Sequence, residues 1–194
     1  MDITYSAEPR PDTGLTNATL GIWLFLASEV MLFAGLFSAY ILLRVGADAW
    51  PHHLLPVGPA TLNTALLITS SMTMTLSWAA LREGQVARHR QLLLATIVLG
   101  TVFLVIKALE YRAHIAAGEL PSHDTFFALY YTLTGIHALH LVGGLVVMLY
   151  LLGPGARLME TRREQFVHRI EATGLYWHFV DFVWVLLFPL LYLL

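Results

Sequence analysis

Gly174-Leu-Tyr-Trp-His-Phe-Val-Asp-Phe-Val-Trp-Val-Leu-Leu-Phe-Pro-Leu-Leu-Tyr-Leu-Leu194 is an apolar run interrupted by His178 and Asp181. At 1.5 Å per residue, about 20 helical residues cross the ~30 Å hydrocarbon core of a bilayer, so this length predicts a membrane span. A charged Asp at the centre of such a helix costs about 3 kcal/mol on insertion scales. The carboxyl group is therefore expected to face protein, water or a proton path rather than lipid.

The rest of the chain has the same character. Of its 194 residues, 57% are hydrophobic and 12% charged, and the mean hydropathy is +0.67. These values lie far from those of a soluble globular domain and indicate an integral membrane protein. There is no cysteine, which excludes thiolate-bound zinc, iron-sulfur clusters, covalently attached c-type haem and a cysteine-bridged dicopper site. A net charge of -2 gives no basic patch for nucleic acid.

Working back from the final run, four more apolar segments appear, about Leu20 to Leu43, Ala60 to Leu81, Leu92 to Tyr111 and Phe126 to Leu152; the last span itself reads as about Ala172 to Leu194. The fold class is thus all-α, a polytopic bundle of five transmembrane helices over residues 20–194 behind a polar tail, Met1 to Thr19. The tail lacks a basic n-region and the first apolar run is too long for a signal peptide, so the tail is expected to be retained. Arg10, Arg82, Arg88, Arg90, Arg157, Arg162, Arg163 and Arg169 fall on the side of the N-terminus, against Arg44, Lys107 and Arg112 on the other. Because cytoplasmic loops retain Lys and Arg, the N-terminus is expected in the cytoplasm and the C-terminus on the periplasmic or exterior side. The loop Gly153 to Glu171 is expected to be partly helical and solvated. Pro59 is suited to begin the second helix, and Trp23, Trp78, Tyr111 and Tyr176 read as interface anchors.

Glu29 falls near the middle of the first span, about 14 Å from its cytoplasmic end. His178 and Asp181 in the fifth span, and His137 and His140 in the fourth, lie at overlapping depths. Three-residue spacing puts each of these two pairs on one helix face. The plainer reading is a polar network that holds helices together; the sharper ones are a metal or haem site, or a proton relay. We favour the plainer reading, because a His-x-x-His spacing is weakly specific for metal. Lys107 and Glu110, three apart near the external end of the third span, read as a structural ion pair with the lysine snorkelling outward. Thr134, Gly135, Gly143 and Gly144, together with Asn63, Thr64, Ser70 and Ser71, are expected to permit close helix approach and interhelical hydrogen bonds.

Taken in order, Gly21-Ile-Trp-Leu-Phe-Leu-Ala-Ser-Glu-Val30, Leu62-Asn-Thr64, Trp78, Glu83-Gly84, Lys107-Ala-Leu-Glu-Tyr111, Thr125-Phe-Phe127, Thr134-Gly-Ile-His-Ala-Leu-His140 and Tyr176-Trp-His-Phe-Val-Asp181 with Trp184 closely resemble subunit III of haem-copper oxidases. The resemblance runs from about Gly21 to the C-terminus. It implies a non-redox accessory subunit of a proton-pumping terminal respiratory oxidase, a multi-pass protein of the bacterial plasma membrane. Haem and copper would be held by partner subunits I and II, with none bound by this chain, and cytochrome c would be the electron donor. Phospholipid is a further implied ligand. Glu29 matches the family's intramembrane glutamate, and His137, His140, His178 and Asp181 match its buried polar positions. Many members have seven helices, whereas this sequence looks like the five-helix form, so helices of another subunit are expected where the first two would lie. Other readings within reach are a quinol oxidase subunit, a nitric-oxide-reductase-associated relative, a stand-alone metal or haem protein, and a small ion transporter.

Overall fold

The computed structural model describes residues 14, 16–48, 50–51, 55–122 and 124–193. Most of the polar tail, Arg10 included, lies outside the described residues. Every regular element among the described residues is helical. Five helices are long and apolar enough to cross a membrane: α1 (Asn17–Val45), α2 (Val57–Arg82), α3 (Val86–Ala116), α4 (Thr125–Leu152) and, after a short 3-10 turn (Pro154–Arg157) and α5 (Leu158–Thr161), α6 (Arg163–Phe188). A π-helical turn, Pro189–Leu193, continues α6.

The helix starts follow local chemistry. Thr16 Oγ1 accepts the backbone N–H of Thr19 at the head of α1, and Asp124 Oδ1 accepts that of Phe126 at the head of α4, satisfying donors that have no partner inside the helix. Pro59 is the third residue of α2 rather than its first, in the turn where a missing N–H does no harm. Gly84, at φ +83°, turns α2 into α3 in a conformation that L side chains resist. The loop expected after α4 is mostly helical, and α6 begins at Arg163, nine residues before the apolar run expected at Ala172.

α6 is the hub. It packs on α1, α2 and α4, while α3 pairs with α2 and α4. Its Trp177 is slotted between two glycines: a Cβ on Gly100 of α3 would stand 2.8 Å from the indole, and so would one on Gly144 of α4. The close approach expected of Gly144 is therefore real, and Gly100 supplies the opposite wall. α1 lies outside this four-helix core, and its buried residues, Leu26, Phe33 and Tyr40, recur every seven residues. That spacing makes one seam. The remaining surface of α1 is apolar and exposed, as at Leu24, Met31 and Leu42, while Asn63, Ser70, Ser77, Thr96 and Thr134 are buried. Polar groups inside and apolar groups outside are what a lipid solvent selects.

Candidate functional site

Three polar centres surround α6. The first joins α1 to α4. Glu29 Oε2 lies 2.8 Å from His140 Nε2, and His140 Nδ1 lies 2.8 Å from the carbonyl oxygen of Ile136. A carbonyl only accepts, so Nδ1 carries a hydrogen, and the contact between Nε2 and Glu29 is left with one proton to share. Tyr176 donates its hydroxyl to the His140 carbonyl at 2.9 Å, and the Phe33 ring meets the imidazole edge-on at 5.3 Å. The two side chains are only partly covered, at 17% and 14% exposure. They stand at the seam where the outer helix meets the core.

The second centre joins α2 to α6. Ser71 Oγ is 2.6 Å from His178 Nδ1, and Thr75 Oγ1 is 3.2 Å from His178 Nε2. Thr75 gives its own hydrogen to the Ser71 carbonyl, so it accepts from Nε2–H while Ser71 donates to Nδ1. The ring is thereby held as the Nε2–H tautomer. Asp181, one turn further along α6, is buried, and neither carboxylate oxygen has a hydrogen-bond partner. The Ser70 and Ser71 hydroxyls are within interaction range of it, but each has a firmer bond elsewhere: Ser71 to His178, and Ser70 to the Leu67 carbonyl and to Trp177 Nε1–H, which it accepts at 3.0 Å.

The third centre lies toward the other end of the core. Lys107 is 3% exposed and Glu110 7%. The ammonium donates to Glu110 Oε1 at 3.1 Å, to the hydroxyl of Tyr130 at 3.0 Å and to that of Tyr192. Both hydroxyls pass their own hydrogens to the same carboxylate oxygen, Tyr130 at 2.7 Å and Tyr192 at 2.6 Å. The rings of Tyr130, Tyr192, Trp184 and Tyr111 surround Nζ at 4.7 to 5.6 Å.

This geometry revises several pairings. His137 does not share a partner with His140: it points into the core between Phe103 and Trp184, ring centroids 5.7 and 5.3 Å away, with both ring nitrogens unbonded. Three-residue spacing left the two imidazoles some 60° apart around α4, enough to send one to α1 and the other to α3 and α6. Asp181 likewise bonds neither His178 nor Glu29. Lys107 does not snorkel: α3 runs on to Ala116, which sets the Lys107 backbone about 14 Å from the helix end, and the ammonium is turned into the core. Tyr111 and Tyr176, expected as interface anchors, turn their hydroxyls inward to Thr134 at 2.5 Å and to His140. Thr64 accepts Trp184 Nε1–H at 3.0 Å, an interhelical bond of the kind expected, whereas the buried Asn63 bonds through neither amide atom.

Tyr130 and Tyr192 are the participants that sequence reasoning missed. The available signal was a lysine in a long apolar helix with only one acidic neighbour, which leaves two N–H donors to be placed. Among the described residues, no group of three or more His, Cys, Asp or Glu is arranged to hold a metal ion; His137, His140 and His178 face separate neighbours.

A family model described as cytochrome c oxidase subunit III matches residues 12–194. Cytochrome c oxidase subunit 3 of Synechocystis sp. is 37% identical over 177 residues, covering 90% of this chain and 74% of the relative. Heme-copper oxidase subunit I+III of Aeropyrum pernix is 34% identical over 195 residues, covering 95% of this chain, which spans only 23% of that relative's length. Cytochrome bo(3) ubiquinol oxidase subunit 3 of Pseudomonas aeruginosa is 31% identical over 197 residues, covering 100% of this chain and 92% of the relative.

Proposed function

The chain belongs to the cytochrome c oxidase subunit III family, and from that premise we infer that it serves a dioxygen-reducing, proton-pumping respiratory oxidase as an accessory subunit without a redox centre of its own. It is a multi-pass membrane protein and part of a haem-copper oxidase. We assign it to the bacterial plasma membrane with its N-terminus in the cytoplasm, from the arginine-rich ends of α2, α3 and α6. Subunits I and II are its partners and hold the haem and copper; cytochrome c supplies electrons.

One observation carries this reading: three of the ionisable clusters in the core are held by protein partners, while Asp181 and His137 stand buried with no hydrogen-bond partner. Glu29 is spent on His140, Lys107 on Glu110 and two tyrosines, and His178 on Ser71 and Thr75. Such a network fixes helix positions and presents a shaped surface to a neighbour. The Glu29 and His140 pair, mostly covered but still reachable at the seam of the outer helix α1, is the polar part of that surface. We assign it to the contact with subunit I, where it holds the neighbour's proton-delivery side in place. The Aeropyrum relative, named as subunit I+III in one chain, supports that adjacency. The ubiquinol oxidase relative favours a second reading in which the complex takes electrons from a quinol.

Affinity purification of the tagged full chain from membranes, with mass spectrometry and absorption spectra of the product, tests the proposal. Larger haem- and copper-bearing chains are expected in the same particle. Stoichiometric haem or copper on this chain purified free of partners would overturn it.

A further inference from the structure

Lys107 has three N–H donors and, in the core, three acceptors: Glu110 Oε1, the Tyr130 hydroxyl and the Tyr192 hydroxyl. Each hydroxyl accepts from the ammonium and donates to the carboxylate, so three donors converge on Glu110 Oε1, while Oε2 is buried without a hydrogen-bond partner. Four aromatic side chains wall off Nζ from lipid and water: Tyr130 and Tyr192 meet it through their hydroxyls, and the rings of Trp184 and Tyr111 stand 5.4 and 5.6 Å away, within reach of a cation-π attraction. We propose that Glu110, Tyr130, Tyr192, Tyr111 and Trp184 constitute a binding site for a primary ammonium group, with Lys107 as its tethered occupant and the π-turn Pro189–Leu193 as the element that completes it.

The π-turn matters because of register. Tyr192 stands eight residues after Trp184, and continued α-winding at about 100° per residue would set it about 80° away from the tryptophan around the axis. π-winding closes its hydrogen bonds over one residue more and turns less per residue, so the later side chains slip back. Tyr192 then comes round to the face of Trp184, with ring centroids 6.2 Å apart. Pro189, which has no N–H to give an α-helical bond, stands where the winding changes. Tyr40 of α1 donates to the Leu190 carbonyl at 3.0 Å and ties the turn to the outer helix.

The test uses the full chain with a fluorescent tag, in the detergent-solubilised assembly with which it co-purifies, and reads the midpoint of thermal loss by size-exclusion. Lys107→Ala removes three carbons and the nitrogen, a group matched by n-propylammonium. The variant is expected to melt on the order of 10 °C lower. Propylammonium at tens of millimolar should raise its midpoint, whereas 1-propanol and trimethylpropylammonium should not, one lacking charge and the other lacking N–H donors and small size. Adding Tyr192→Phe should abolish the rescue. Rescue by propanol equal to that by the amine, or rescue that survives Tyr192→Phe, would overturn the site. Should Lys107→Ala fail to accumulate, Tyr192→Phe alone decides: a midpoint lower by about 5 °C is expected, and an unchanged midpoint overturns the proposal.

Discussion

Glu29 and His140 meet at 2.8 Å across the boundary between the outer helix and the core, and the second ring nitrogen of the histidine is already committed to a backbone carbonyl. The Glu29 carboxyl group thus ties α1 to α4 by a polar bond within the membrane span. Glu29→Ala should leave the haem spectra of the assembled oxidase unchanged while weakening the clamp by about 1–3 kcal/mol, read as faster loss of activity during sustained turnover. Glu29→Gln keeps a donor for Nε2 and should decay close to the parent rate. Identical decay curves for all three proteins would reduce Glu29 to packing.

Trp177 leaves no room for a methyl group on either side of its ring. Gly100→Ala and Gly144→Ala should each cost about 1–3 kcal/mol through overpacking, measured as thermal stability of the purified assembly. Gly143→Ala is the internal control, since its added Cβ would find the Tyr176 hydroxyl at an ordinary 3.6 Å. It should be neutral, or stabilising by up to about 1 kcal/mol through helix propensity.

Breaking a buried ion pair on one side differs from replacing both sides. Glu110→Leu leaves the ammonium without its anion and should cost about 3–5 kcal/mol, whereas the double variant Lys107→Met with Glu110→Leu should recover much of that loss. A thermal-stability cycle over the parent, both single variants and the double variant gives the coupling directly; additive losses would contradict the pairing.

His178 should show the Nε2–H tautomer in solid-state nitrogen NMR of the labelled protein. Ser71→Ala removes the donor to Nδ1, shifting that resonance and costing about 0.5–1.5 kcal/mol of stability. An Nδ1–H signal in the parent protein would reverse the donor assignment made from Thr75.

The five spans were legible because one physical quantity, the thickness of the hydrocarbon core, sets the length of apolar sequence that crosses it. The polar residues Glu29, His140, Lys107 and Glu110 were equally visible, since ionisable groups stand out against Leu and Val. What they touch was not legible. In lipid both faces of a helix are apolar, so periodicity does not say which side of α4 meets α1, and His137 and His140 looked interchangeable. Helix ends misled in a second way: ending the third span at Tyr111 made Lys107 look peripheral, and the extra turns to Ala116 bury it. Tyr192 was beyond reach altogether, because its direction depends on a change of winding after Pro189.

The seam of Leu26, Phe33 and Tyr40 also has a meaning in time. Among the described spans, the first to leave the ribosome packs on the last, and everything between Val45 and Arg163 must be synthesised before the two can meet. At 5–20 residues per second that interval is on the order of 10 s. A helix apolar on nearly every side can wait that long in the bilayer without a partner, and only Glu29 is left exposed during the delay. Its relief comes with α4, before α6 exists, so the polar clamp to His140 can form first and hold the outer helix in line until its permanent neighbour arrives.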